Sequence, residues 1–306
     1  MIEGLAPAKV NLALAVVGRR ADGYHELVSV FARLDLADRM TVEVAGNAPD
    51  RLTVAGGGYS PSGLDLVLSA AMLLREHAGR PLPSLVFALE KRIPVAAGLG
   101  GGSSDAATAL ELAAAAWDID LSAGERLDLA ARLGSDVPFF AARTAAALVE
   151  GRGERIRPLP PPTGGAAALL VTSESGLSTA EVFRVFDDGV APGAGSPAAA
   201  TTARELAAAL EAGLDADAFA GWAPRLRDAN DLWPAAVGLL PELAALRATL
   251  EERLRRPVLL SGSGPTLVAL YPSLLEAQAG GRQLTELRGA RITVTVLGNG
   301  QHREAR

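Results

Sequence analysis

The chain contains no cysteine, which excludes a disulfide framework, thiolate metal ligation and a cysteine nucleophile. Histidine is almost as scarce. His25, His77 and His302 are the whole supply, and they are too few and too scattered to suggest a histidine metal centre. No apolar run approaches the roughly 18 residues of a membrane span, and Met1 to Val10 lacks the basic start of a secretory leader. The expectation is a cytoplasmic protein with no membrane partner. A net charge of −6 without a basic tail argues against a nucleic-acid partner, so an anionic ligand has to be held by local geometry.

Lysine is the most informative shortage. Of 29 basic residues only Lys9 and Lys91 are lysine, so arginine serves almost wherever a positive charge is needed. A retained lysine invites a chemical reason, because its compact ammonium suits a place beside a reacting hydroxyl in a way guanidinium does not. For Lys91 a chemical reason and chance retention stay equally open.

What is present points to a filled, globular chain. With 306 residues and 49 % hydrophobic content there is enough sequence for two domains sharing a cleft. The expected fold class is α+β. A Pro/Gly linker over 159–166 separates an expected first domain, 1–157, from a second, 166–306.

Residues 94–107 read PVAAGLGGGSSDAA. Glycines at 98, 100, 101 and 102 allow positive φ and bring backbone N–H groups close to an anion with no Cβ in the way. A helix expected to begin near Ser103 or Ser104 would point its positive end at the same anion. Its apolar positions Ala106, Leu110, Ala113, Ala114 and Trp117 recur at helical spacing. This is a phosphate-binding loop in chemistry, with a serine-capped glycine turn as the competing reading. It is not a Walker A loop, since no lysine follows Gly102, and the dinucleotide fingerprint lacks its third glycine at Ser103.

Elsewhere, Lys9 and Asn11 share one face of an expected strand whose other face carries Val10 and Leu12. An exposed strand face would explain them equally well. Tyr24 and His25 follow an Asp-Gly turn and suit stacking on, and hydrogen bonding to, a planar ring, or else simply close a hairpin. Strands are expected over 27–35, 39–44, 52–54, 85–89, 145–153, 169–173 and 291–297, and helices over 65–78, 122–133 and 273–287. Residues 56–63 read as a loop, and 189–202 as an Ala/Gly/Pro surface loop without chemistry. Asp136 stands among valine, proline and two phenylalanines, where a carboxylate needs a partner, and Lys9 is the best candidate. Capping of the next helix is the alternative. Ser261 to Gly264 form a second small-residue loop between apolar strands, or a tight hairpin turn.

A glycine anion loop, a strand lysine and an aspartate in apolar surroundings together suit phosphoryl transfer, which needs phosphates held and an acceptor hydroxyl aligned beside a base. The blocks PAKVNL, RRADGYHEL, IPVAAGLGGGSSDAA, LGSDVPFF and LLSGSGPT, in this order from Pro7 to about Leu270, resemble the GHMP kinases. That resemblance implies a two-domain fold with the active site between the domains. It implies ATP and Mg2+ as cofactors, and ATP-dependent phosphorylation of the 2-hydroxyl of 4-diphosphocytidyl-2-C-methyl-D-erythritol for non-mevalonate isoprenoid synthesis. Asp136 would be the general base with Lys9 beside it. Asn11, Tyr24, His25, Thr179 and Phe183 would bind the acceptor, with Phe183 as the aromatic wall opposite Tyr24. Pro94, Val95, Ala96, Ala97, Gly98, Leu99, Gly100, Gly101, Gly102, Ser103 and Ser104 would wrap the ATP, with Ser103 or Ser104 near the metal. Asp65 stands where the family commonly has asparagine on the adenine side. A monomer or weak homodimer is expected. The competing readings are a related kinase for mevalonate or homoserine, and a nucleotide-binding module without catalysis.

Overall fold

A computed structural model describes residues 1–46, 49–56, 65–189 and 196–298. The loop expected over 56–63 lies outside the described residues except for Gly56, as do His302 and the 190–195 part of the Ala/Gly/Pro segment.

The first half is built on two long antiparallel strands, β1 (Ile2–Arg19) and β2 (His25–Val44). Sequence reading splits β2 in two, but its polar stretch near Asp35 stays in the strand because β1 pairs with it on both sides of that point. Next come β3 (Arg51–Ala55), α1 (Leu66–Ala78), β4 (Leu85–Glu90), α2 (Gly101–Ala116), α3 (Ala123–Leu133) and α4 (Val137–Ala141). Strands β5 (Ala146–Gly151) and β6 (Arg155–Leu159) complete a six-stranded sheet, ordered β3-β4-β2-β5-β6 with β1 on β2.

The local chemistry sets the helix ends. Asp65 caps α1 by accepting from the Val67 N–H at 2.8 Å, and Gly79 closes it in the left-handed conformation. Ser122 and Glu125 form a reciprocal capping box on α3. Helix α2 begins at Gly101, two residues earlier than the serines suggest. Its apolar residues Ala106, Leu110, Ala113, Ala114 and Trp117 are all buried, as their spacing requires.

The second half comprises β7 (Ala167–Ser173), α5 (Thr179–Gly189), α6 (Pro197–Ala212), α7 (Ala216–Ala220), α8 (Ala223–Leu226), α9 (Trp233–Leu239) and α10 (Glu242–Leu254). It ends with β8 (Leu259–Leu260), β9 (Thr266–Tyr271), α11 (Leu274–Arg282) and β10 (Ala290–Val296), and the sheet order is β10-β7-β9-β8. From Pro197 onward the segment expected to be a loop is helical: Ser196 caps α6, proline occupies its first turn, and Ala200, Ala203, Leu206 and Leu210 bury one face.

That face explains how the halves meet. Val10 and Leu12 of β1, Val30 of β2, Leu206 of α6 and Leu170 of β7 belong to one continuous buried cluster. Leu14 also bridges to Asn230, and Leu34 to Leu297. The architecture is α+β in two halves, with β1 running along the seam.

Candidate active site

A cleft of about 800 Å³ opens between the halves. Pro94 through Ser103 form one wall, Lys9, Asn11 and Asp136 the floor, and Thr179, Phe183 and Ser263 the side contributed by the second half.

The glycine loop has the expected geometry at two of its four glycines, while Gly101 and Gly102 lie in α2. Gly98 and Gly100 sit at φ 72° and 70°, where a side chain is strained. Gly100 is the N-cap of α2 and provides no capping side chain, so the first N–H groups of the helix are left for a ligand. A Cβ on Gly98 would run into the Ser261 carbonyl oxygen, so the loop lies directly on the second small-residue loop. Ser261 Oγ donates to the Gly98 carbonyl at 3.0 Å and accepts from the Asn11 N–H at 3.2 Å. Ser103 faces the cleft, whereas Ser104 is fully buried behind it, with no hydrogen-bond partner for its hydroxyl among the described residues. Of the two serines expected near a metal, Ser104 is turned into the protein by the early start of α2.

On the floor, Lys9 Nζ donates to Asn11 Oδ1 at 2.6 Å, stands 3.3 Å from Asp136 Oδ2 and lies over the Phe31 ring at 4.5 Å. Asn11 in turn donates to Ser29 Oγ at 3.0 Å, so its amide is held from both ends. A Cβ on Gly100 would come within 3.0 Å of the Lys9 stem, which places the loop against the lysine. Gly134 ends α3 and delivers Asp136 at the start of α4. Asp136 occupies the N-cap position there but makes no capping bond, and its side chain is 34 % exposed. The carboxylate is therefore free for other work.

At the far end, His25 Nε2 meets Asp187 Oδ1 at 2.7 Å, and Arg19 approaches the other Asp187 oxygen at 3.4 Å. Phe183 lines the same cleft as Tyr24. It stacks on His25, with ring centroids 4.6 Å apart and 22° between planes. Tyr24 is half exposed and lies beside the Arg152 guanidinium. Thr179, the first residue of α5, shares a hydrogen bond of 3.0 Å with Ser263.

Lys91 has a structural reason to be lysine. Its ammonium is buried between Asp38 and Asp105, 2.7 Å from the latter, and Asp38 also accepts the Arg92 and Ile93 N–H groups at 2.5 and 2.8 Å. The cluster ties the approach to the glycine loop to the first turns of α2. Burial pushes the Asp105 carboxyl up to about 7; Lys91 pulls the other way and Asp38 adds to the rise. Burial works against the Lys91 charge, yet Asp105 and Asp38 together hold its pKa above the ordinary lysine value. Sequence reasoning missed Asp38, Asp105, Ser29, Arg152 and Asp187. A glycine on each side of Arg152 is the one local signal that could have marked it.

The glycine loop and the aromatic end thus frame a lysine-aspartate pair. Among the described residues no group of three or more His, Asp or Glu side chains is placed to hold a metal. The GHMP kinases N terminal domain pattern matches residues 65–143. A 4-diphosphocytidyl-2-C-methyl-D-erythritol kinase of Pelotomaculum thermopropionicum is 39 % identical over 91 % of this chain and 92 % of its own. One from Rhodococcus jostii is 42 % identical over 95 % and 89 %. A crystal structure of 4-(cytidine 5'-diphospho)-2C-methyl-D-erythritol kinase, 35 % identical, superposes over 97 % of this chain and 100 % of that one with a TM-score of 0.72. With this identity over nearly its full length, and with the two-domain cleft architecture in place, the chain belongs to the 4-diphosphocytidyl-2-C-methyl-D-erythritol kinase family of the GHMP kinases.

Proposed function

We propose that the protein transfers the γ-phosphoryl group of ATP to the 2-hydroxyl of 4-diphosphocytidyl-2-C-methyl-D-erythritol, a step of the non-mevalonate isoprenoid route. The observation that carries this reading is the Lys9–Asp136 pair, 3.3 Å apart, in the same cleft as the glycine loop and the Tyr24–His25 end. Asp136 takes the proton of the acceptor hydroxyl as its oxygen attacks phosphorus. Lys9, fixed by Asn11, keeps the hydroxyl and the developing charge in place. Gly98 to Ser103 receive the nucleotide phosphates on backbone N–H groups and the positive end of α2. Tyr24, His25, Phe183 and Thr179 receive the cytidine end of the acceptor.

Ser103 supplies a hard oxygen donor to the cleft, which fits a Mg2+ ion that takes most of its ligands from phosphate and water. The ion would neutralise phosphate charge. Asp65 is engaged in capping α1, so adenine recognition rests on its neighbours rather than on a free carboxylate. The protein acts in the cytoplasm as a monomer or weak homodimer; among the described residues no helix is long and apolar enough to cross a membrane.

The test offers the purified protein ATP with the diphosphocytidyl acceptor, mevalonate or homoserine. Phosphorylation of the first is expected. Activity confined to either of the others would overturn the acceptor assignment.

A further inference from the structure

Among the described residues three Lys or Arg side chains line the cleft: Lys9, Lys91 and Arg152. The first two are already committed to carboxylates, Lys9 to Asp136 and Lys91 to Asp38 and Asp105. Arg152 forms no ion pair with any of the described residues. Its one side-chain hydrogen bond runs from Nη2 to the Ala131 carbonyl at 2.9 Å, which anchors the guanidinium without neutralising it. Asp22 lies within electrostatic range of Arg152 but is bonded by Arg20 at 3.1 Å.

The position of Arg152 is built into the fold. Leu27 pairs with Gly151 across β2 and β5, and this register carries the following residue up to the Tyr24 turn. Arg152 lies between two glycines in positive φ, 75° at Gly151 and 126° at Gly153. A Cβ on Gly153 would collide with the Ser135 carbonyl, so the turn rests directly on the residue before Asp136. The Arg152 backbone N–H is fixed by Glu154 at 2.7 Å. At its other end the guanidinium carbon stands 5.2 Å from the centre of the Tyr24 ring. One residue therefore spans the distance between the Asp136 turn and the aromatic end of the cleft.

This placement bears on any acceptor that has a base at Tyr24 and a hydroxyl at Asp136, because whatever joins the two must pass Arg152. Resting on the acceptor proposed above, we infer that Arg152 is a specificity-determining residue that binds the diphosphate bridge of the acceptor. The planar fork of guanidinium matches two phosphate oxygens at once, and a cation with no carboxylate of its own is available to do so. Lys9 is then left to the reacting hydroxyl.

The experiment compares binding of cytidine diphosphate and of cytidine to the full-length protein, to Arg152→Met and to Arg152→Lys, by calorimetric titration. The wild type should bind the diphosphate more tightly than the nucleoside, by roughly ten- to a hundredfold for a charge-assisted contact. Arg152→Met should remove most of that advantage with cytidine affinity and the KM for ATP unchanged, and Arg152→Lys should keep part of it. Unchanged ATP binding certifies that the variant is folded. An advantage that persists in folded Arg152→Met overturns the inference. Equal loss of cytidine and cytidine diphosphate binding also overturns it, since Arg152 would then act only by backing Tyr24. An Arg152-dependent preference for the diphosphate in a protein that fails to phosphorylate the diphosphocytidyl alcohol would uphold the inference and overturn the acceptor assignment alone.

Discussion

The Lys9 ammonium lies 3.3 Å from the Asp136 carboxylate, with the lysine side chain 4 % exposed and the aspartate 34 %. The cation is the fixed member of the pair, set by Asn11 and Phe31. The carboxylate is the one that can reach an incoming hydroxyl.

Asp136→Asn keeps the shape of that side chain and removes its basicity. Turnover should fall by about 10²–10⁴, the range for a positioned base. ATP affinity, read by nucleotide titration, should stay within error, and the melting temperature should fall only modestly, because Asp136 makes no capping bond to lose and asparagine keeps an oxygen beside Lys9. Turnover that survives the substitution would refute the general-base role.

Gly98→Ala and Gly102→Ala separate loop conformation from loop composition. At Gly98 the substitution forces a side chain into positive φ, costing about 1–2 kcal/mol, and presses it on Ser261. Weaker ATP binding and a lower melting temperature should follow. At Gly102, inside α2, an added Cβ meets nothing within 4 Å and alanine favours the helix, so the melting temperature should match or slightly exceed the wild type.

Lys91→Met leaves Asp38 and Asp105 buried without their cation. Breaking a buried pair from one side costs about 3–5 kcal/mol, measurable as a shifted denaturant midpoint. Asp105→Asn should cost far less, because it removes the surplus charge and retains an oxygen for Lys91.

The same carboxyl predicts a pH dependence. Asp105 is raised from 3.8 unfolded to about 7 folded, chiefly by burial, so the folded chain holds a proton the unfolded chain has released. Its contribution is complete below the unfolded value and is lost as pH rises towards 7. Stability of the wild type should decline across that window by comparison with Asp105→Asn, whose profile should be flatter. Identical profiles for the two would refute the assignment.

The legible parts of this chain were those whose signals are local. The apolar spacing of α2, the helix over 122–133 and the glycine loop all have signals that sit within a few neighbouring residues. Gly101 and Gly102 conceal the true start of α2, because glycine is among the weakest helix formers and gives no local sign of a first turn. The hydrogen bond from the Asn11 N–H to Ser261 joins residues 250 apart, and no periodicity reports such a contact. Asp38 is equally silent in sequence, since its role is defined by Lys91 on the far side of α1 and β4. The stacking of Phe183 on His25 is equally unannounced, since it joins α5 to the start of β2.

The buried cluster that joins β1, β2, α6 and β7 has a consequence for how the protein comes apart. The interior that the halves share does not stay sealed once either is removed, since Val10, Leu12 and Leu170 would all be opened to water together. Heating should then give a single calorimetric peak whose van't Hoff and measured enthalpies agree, rather than two resolved melts. The catalytic cleft is thereby cut into the edge of one cooperative unit, and it vanishes with that unit instead of loosening first.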